Sequence, residues 1–319
     1  MDGILEHDKQ EGREMGWHGK THVKPDLSLD NCWLATWDVV PEVMEVRGKE
    51  SDFKILTATD NPDLNVGKPY NDKSYTVINN ETMLGMVYSA APDLPLESCG
   101  SLQDRSKVFL SFGIDEGDLE IEHRKFDAFL NFGNSFDQST PFWVNVSNIC
   151  TVCMNTFGAN LRDPNGKIVK VRIRHTKNAM NAIDNMPEII SAALHVQREF
   201  GKKFTELMGQ KASMDDARNW FTGFVTPEGA DEVSKRSQNS IDRLIYLFRN
   251  GQGNDGKDWA DVFSAITDFY THESSGGDNK WKQYVSSEFG TAAIKKQAAW
   301  NAIINQTDRS EIIRRGKSY

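Results

Sequence analysis

Two of the four cysteines stand close together in NICTVCMNTFG, residues 148–158, as the pair Cys150 and Cys153. His175 follows 22 residues after Cys153, in RIRHTKN. C-x-x-C is the spacing of half a zinc site or of a redox dithiol. A structural zinc site needs four ligands, and no second paired motif is present to complete it. His175 and Cys99 have the right chemistry, but nothing in the sequence fixes their distance from the pair. A redox pair belongs at a helix start in a parallel α/β setting, and the surroundings here read as antiparallel strands. The pair therefore reads as buried thiols acting as small apolar side chains, with no metal and no cofactor expected. G-x-S-x-G, H-E-x-x-H, the phosphate-binding loop G-x-x-x-x-G-K-[ST] and the dinucleotide fingerprint G-x-G-x-x-G after a strand are all absent. Asp215 and Asp216 fall where a helix begins, so capping accounts for them. No catalytic residue is assigned.

Charge carries more information. The 319 residues have a net charge of −9, which alone speaks against a surface coated in nucleic-acid contacts. Yet residues 162–178 hold Arg162, Lys167, Lys170, Arg172, Arg174 and Lys177 against Asp163, and residues 291–319 hold Lys295, Lys296, Arg309, Arg314, Arg315 and Lys317 against Asp308 and Glu311. Two basic segments sit in an acidic body. Chance clustering on solvated faces is the plain explanation; a polyanion site is the functional one. KIVKVRIRHT alternates as a strand, with Val169, Val171, Ile173 and His175 on one side and Lys170, Arg172, Arg174 and Thr176 on the other. Cations on one face then stand about 7 Å apart, close to the phosphate spacing of an extended single strand. The expected nucleic-acid contacts are Lys167, Lys170, Arg172, Arg174, His175 and Lys177. His175 shares the apolar side, where it is either a satisfied core histidine or a donor to a phosphate or a strand-end carbonyl. Phe129, Phe132, Phe136, Phe142, Trp143 and Phe157 lie near this strand in sequence. Such rings beside cations can stack bases, although sheet aromatics more often fill a core. Arg314, Arg315 and Lys317 read as a mobile basic tail.

The elements that must position these residues follow a simple plan. Residues 1–30 are polar and glycine-spaced, and read as irregular. Short alternating or β-branched runs then follow: WDVVPEVMEV, FKILTATD, SYTVIN, LESCGSL, KVFLSFGI, LEIEHRKF, AFLNFGN and FWVNVSNIC. TDNPDLNVGKP, YNDKS and GIDEGDL read as the turns between them. NNETMLGMVYSAAP reads as a helix capped by Asn80. TVCMNTFGANL reads as a helix, or as a strand passing into one. From 178 to 209 apolar residues recur at helical spacing around Pro187, which implies two helices or one kinked helix. Further helices are expected near 213–222, 230–250, 258–273 and 286–306. The expected fold is α+β: an antiparallel sheet-rich core over 31–178, a helical region over 179–306 and a basic tail over 307–319. No apolar run is long enough to cross a bilayer, and the polar N-terminus is unlike a secretory signal. The bacterial host cytoplasm is the expected compartment.

Several stretches in fixed order carry a family resemblance: WHG at 17–19, SYTVINNETML, ESCGSLQDRSKVFLSF, FLNFGNSFDQSTPFWV, TVCMNTF, VRIRHTKN, DWADVFSAITDFYTHE and EFGTAAIKKQAAWNAI. The series resembles the phage/plasmid-like protein family, a domain of unknown function spread among bacteriophages, plasmids and laterally transferred islands. It covers about 17–306. The family pattern V-C-x-N-T is matched by Cys153, Asn155 and Thr156, whereas Cys150 stands where the family usually has an aliphatic residue. The resemblance thus implies no metal site at the pair, and it makes Asn155 or Thr156 a cap between strand and helix. It implies a mobile-element protein but transfers no reaction. A sheet with a basic strand followed by helices is similar in outline to the single-strand annealing proteins of phage recombination. The expectation is a cofactor-free, homo-oligomeric protein that binds and anneals single-stranded DNA. The rival is a protein-interaction module, such as a host-defence antagonist, acting through the acidic surface. A third reading is an enzyme built around His175, Cys153 and Asn155.

Overall fold

The computed structural model describes residues 5–7, 22–23, 26–90, 92–102, 104–114, 118–122, 124–150, 155–159, 172–173, 175, 186–274, 283, 286–287 and 290–319. The chain is α+β, with a sheet-rich N-terminal half and a helical C-terminal half.

Strand formation follows side-chain alternation. β1 (Leu5–His7) and β2 (His22–Val23) come first, then a 3₁₀ turn over Trp33–Thr36. The strands β3 (Val39–Val46), β4 (Lys49–Ala58) and β5 (Asn61–Asn65) form a small antiparallel sheet in the order β3-β4-β5. Helix α1 (Asn80–Ala90) leads into the large sheet, built from β6 (Leu96–Leu102), β7 (Lys107–Gly113), β8 (Leu119–Ile121), β9 (Arg124–Ser135), β10 (Phe142–Cys150), β11 (Asn155–Ala159) and β12 (Arg172–Ile173) together with β1 and β2. Its order is β11-β10-β9-β7-β6-β1-β2, with β12 on β10 and β8 on β9. Every pairing is antiparallel except β1 with β2. On one face Leu110, Phe112, Leu130, Phe132, Phe142 and Val146 meet Leu34, Leu56, Met83 and Val87 in a continuous core. On the other face a polar row crosses three strands: the Ser111 hydroxyl donates to Asn131 Oδ1 at 2.6 Å, and Asn131 Nδ2 donates to Ser147 Oγ at 2.8 Å.

The helical half comprises α2 (Met186–Met208), α3 (Met214–Val225), α4 (Lys235–Asn250), α5 (Trp259–Asp268) with a π-turn over Phe269–Glu273, α6 (Thr291–Ile304) and α7 (Gln306–Gly316). Starts are set by caps. Ser213 and Asp216 form a reciprocal capping box on α3, Ser234 caps α4, and Asp258 accepts from the Asp261 N–H of α5. Phe200, Phe204, Trp220, Phe221, Leu244, Phe248, Phe263 and Trp300 form a second core, which Ile121 and Phe126 of the sheet also enter.

Arg124, at the start of β9, joins the two halves. Its Nη2 lies 2.6 Å from Asp261 Oδ1 and also donates to the Gly253 carbonyl at 2.6 Å, while Nη1 donates to the Ser264 hydroxyl at 3.1 Å. The guanidinium stands over the Phe204 ring. Both ion-pair side chains are buried, at 4% and 1% exposure, so each charge depends on the other. The remaining Asp261 oxygen accepts the backbone N–H groups of Lys257 and Asp255.

Several expectations are corrected. Two short runs of the N-terminal thirty residues, 5–7 and 22–23, are strands rather than irregular, because β6 offers its edge to β1 and β1 in turn offers its own to β2. SYTVIN is not a strand: residues 75–79 are irregular, and Asn134 Nδ2 donates to the Ile78 carbonyl instead of a ladder partner. The expected turn around DNPDLN contains β5. Asn79, not Asn80, caps α1, its Oδ1 accepting from Thr82 N, while Asp38 receives the N–H groups of Asn80 and Glu81. Asn155 and Thr156 begin β11 opposite Cys150 and Ile149, so this dipeptide is part of a ladder and not a helix cap. Pro187 falls in the first turn of α2, where its missing N–H removes no helical bond; residues 178–185 lie outside the described residues. The C-terminal tail is a packed helix rather than a free tail: residues 306–316 form α7 against α3. Gly223 and Gly316 let the two backbones approach so closely that a methyl on either would overlap the other helix.

The buried pair generates a prediction. Asp261→Ala strands the guanidinium and costs about 3–5 kcal/mol of stability. Arg124→Ala costs a similar amount, and the double variant loses less than the sum of the singles. Urea unfolding midpoints of the three variants check this.

Candidate nucleic-acid interface

The basic segment is held by one edge of the large sheet. β11 runs antiparallel to β10 from Cys150↔Asn155 to Val146↔Ala159. β12 returns to the same edge, pairing Trp143↔Arg172 and Phe142↔Ile173. The chain thus leaves β10 beside Val146 and rejoins it beside Trp143, three positions or about 10 Å away. Between these anchors lie Arg162, Lys167 and Lys170. Lys167, Lys170, Arg174, Lys177 and Cys153 fall outside the described residues, as does the expected strand except for Arg172–Ile173.

Just beyond β12 the chain is clamped. The Thr76 N–H donates to the His175 carbonyl at 2.9 Å, and His175 Nδ1–H donates back to the Thr76 carbonyl at 3.2 Å. The imidazole stacks on Tyr75, with ring centroids 4.7 Å apart and planes 11° apart. The Tyr75 hydroxyl donates to the carbonyl of Ser135, the last residue of β9. His175 is 6% exposed, and its Nε2 has no hydrogen-bond partner among the described residues. Burial holds the imidazole below its ordinary value, against the opposing effect of the Thr76 bond, and burial pushes the Tyr75 phenol up. His175 therefore sits buried and neutral and holds the chain just after β12. Its Thr76 partner is distant in sequence, so spacing could not have found the clamp.

The aromatic residues divide clearly. Phe132, Phe136 and Phe142 belong to the main core, and Phe129 is also buried. Trp143 is half-buried and lies flat over Gly133, where a Cβ would strike its ring. Its backbone partner on the outer side is Arg172. The side chain of Phe157 lies outside the described residues. The Trp143 backbone thus borders β12, while its ring lies over β9.

The second basic segment is largely committed to internal contacts. Lys296 is buried, with Nζ near the hydroxyls of Ser287 and Thr271. Lys295 stands over Phe224, and Arg309 packs over Trp259 and donates to Gln210. Arg315 donates from Nε to the Gly223 carbonyl at 3.0 Å. Among the described residues no cluster of three or more His, Cys, Asp or Glu is placed to hold a metal ion, and no helix is long and apolar enough to cross a membrane.

Fold and site together define an α+β protein whose large sheet anchors a basic segment at one edge. The chain belongs to the family described as a domain of unknown function (DUF932), which matches residues 70–303. Neither the curated proteins nor the solved structures contain a match.

The clamp has a pH signature. On acidification an unfolded His175 takes up its proton before the buried one does, so its contribution is complete above about pH 6.5 and is lost as pH falls through the lower folded value. His175 therefore lowers the urea midpoint between about pH 7.5 and about pH 5.5, against the opposite effect of Asp268, whose carboxyl is raised by burial to about 6; relative to the parent, His175→Phe should lose less stability over this interval.

Proposed function

We propose that this protein is a mobile-element protein of phage or plasmid type that binds single-stranded DNA and promotes its annealing, as a homo-oligomer and without a nucleotide cofactor. The observation that carries the reading is the basic segment tied at both ends to one sheet edge in a chain of net charge −9. A polyanion attracted to this edge meets the cations that the segment carries in sequence, while the acidic remainder repels it elsewhere. Lys167, Lys170, Arg172, Arg174 and Lys177 are the proposed phosphate contacts. Trp143 beside Arg172 supplies an aromatic surface suited to a base. Backbone contacts of this kind leave base edges free to pair with a complement. His175 serves as an anchor of the segment rather than a phosphate ligand. Lys295, Lys296, Arg309 and Arg315, being engaged within the helical half, are left out of the interface.

A second reading has its own observation. A groove of about 570 Å³ between the 3₁₀ turn and α1 is lined by Asp30, Asp38, Glu81, Leu84 and the exposed Tyr88. That lining suits a basic segment of another protein.

Fluorescence anisotropy with a labelled single strand of about 40 nucleotides, at about 50 and about 200 mM salt, separates the two readings. Binding that weakens steeply at the higher salt is the expected result. Arg172→Ala with Arg174→Ala should weaken binding about equally for different sequences and lower the salt slope by about 1.4, since each single-strand phosphate contact contributes about 0.7. An unchanged affinity in the double variant refutes the assignment of this edge. No binding at either salt turns attention to the acidic groove.

A further inference from the structure

The hairpin of β3 and β4 carries Val40, Val43, Val46 and Phe53, all more than 40% exposed. Half of the exposed large hydrophobic side chains among the described residues are in this one hairpin. β3 is the outer strand of the small sheet. Its backbone orientation can be read from its partners. Lys54, opposite Val43, gives both its N–H and its carbonyl to Tyr70 on the far side. The Leu56 carbonyl, opposite Pro41, accepts from Val66, also on the far side. Asp38, conversely, turns its carbonyl toward Thr59 of the β4 side. In an antiparallel ladder such groups alternate. Val43 therefore directs its N–H and carbonyl to the open edge, and Pro41 does the same by alternation. The ladder shifts register between Val43 and Glu45, where two residues of β3 span four of β4. Beyond the shift, Val46 and Lys49 flank the two-residue turn Arg47–Gly48, both at positive φ, so they form the bonded pair and Glu45 faces the open edge. The missing N–H of Pro41 costs the β3–β4 ladder nothing, because it faces outward.

We infer that the open edge of β3 pairs antiparallel with β3 of a second copy of this chain, about a two-fold axis at Val43. This deepens the self-association part of the reading above and does not depend on DNA. In that register Val43 meets the partner's Val43 and the two exchange both backbone hydrogen bonds. Each Pro41 carbonyl accepts from the partner's Glu45. Val40 lies opposite the partner's Val46, so all three exposed valines find one another. Glu42 faces the partner's Met44, and its carboxylate is turned back to the Thr57 hydroxyl of its own hairpin. No like charges stand directly opposite across the new ladder. Sliding by two residues in one direction sets Glu42 against the partner's Glu42. Sliding in the other sets Val43 against the partner's Glu45 and Val40 against Gly48. The edge is complementary to itself in one register, as a two-fold interface requires. An exposed valine-bearing edge left open would be a liability.

Sedimentation velocity of the full chain over a range of concentrations, without DNA, tests this. The expected result is a concentration-dependent dimer. Val43→Pro removes an N–H that only the partner uses, and Val43→Glu sets two carboxylates against each other. Both should weaken association at least tenfold while far-UV circular dichroism and the urea midpoint stay as in the parent. Val43→Cys should form a disulfide-linked dimer under mild oxidation and Met44→Cys far less, which fixes the register. A parent chain that is monomeric throughout overturns the inference. So does self-association that persists in the folded Val43→Glu variant, or equal cross-linking at positions 43 and 44. Since no DNA is present, either result leaves the DNA assay to be judged separately.

Discussion

Arg124 leaves the sheet at the first residue of β9 and ends against Asp261, where its charge has almost no access to water. Such an arrangement is tolerated only when every donor and acceptor is met, and here both sides are served: the guanidinium by Asp261, Gly253 and Ser264, and the carboxylate also by the N–H groups of Lys257 and Asp255. The same aspartate lies in the first turn of α5, whose cap is Asp258. One interaction therefore orders the loop before α5, the start of that helix and the docking of the helical half on the sheet. Phe126, two residues after Arg124, enters the helical core between Phe200 and Phe204 and adds apolar contact at the same junction.

With the junction fixed, the β10 edge of the sheet is where the basic segment departs, and its strand β11 packs against α5, the π-turn and α6 of the helical half. β10 carries β9 on one side and two separate short strands on the other. The interruption between β11 and β12 is where the basic segment departs and returns. The reciprocal bonds between Thr76 and His175 and the Tyr75 stack hold the returning end. The fold thereby fixes the two points, β11 and β12, between which that segment runs. Electrostatic attraction from a body of opposite sign must act locally, since screening limits it to about 8–10 Å at ordinary ionic strength.

Much of the fold was legible because its elements obey simple periodicities. The strands β7, β9 and β10 are runs rich in β-branched and aromatic residues, and the helix starts at Ser213, Ser234 and Asp258 are marked by capping side chains. What escaped reading depends on partners remote in sequence. SYTVIN has strand composition, yet its Thr76 bonds to His175 rather than to a neighbouring strand. Asn155 and Thr156 have capping chemistry, yet the open edge of β10 recruits them into a ladder. Arg314, Arg315 and Lys317 look like a solvated tail, and the small residues Gly223 and Gly316, which let α7 settle on α3, carry no charge signal. The concentration of cations at 162–178 was visible in the sequence. Its anchorage at both ends of a single edge was not, because that depends on how β10 is shared between β11 and β12.

The most direct test of the account is to cross-link a photoreactive single strand of DNA to the intact protein and map the attached peptides by mass spectrometry. The account predicts attachment within residues 160–178 and at the peptide containing Trp143, lost when the labelled strand is displaced by excess unlabelled single strand. Attachment confined to other surfaces, such as the α1 groove or the C-terminal helices, or no attachment under conditions of measurable binding, would contradict it.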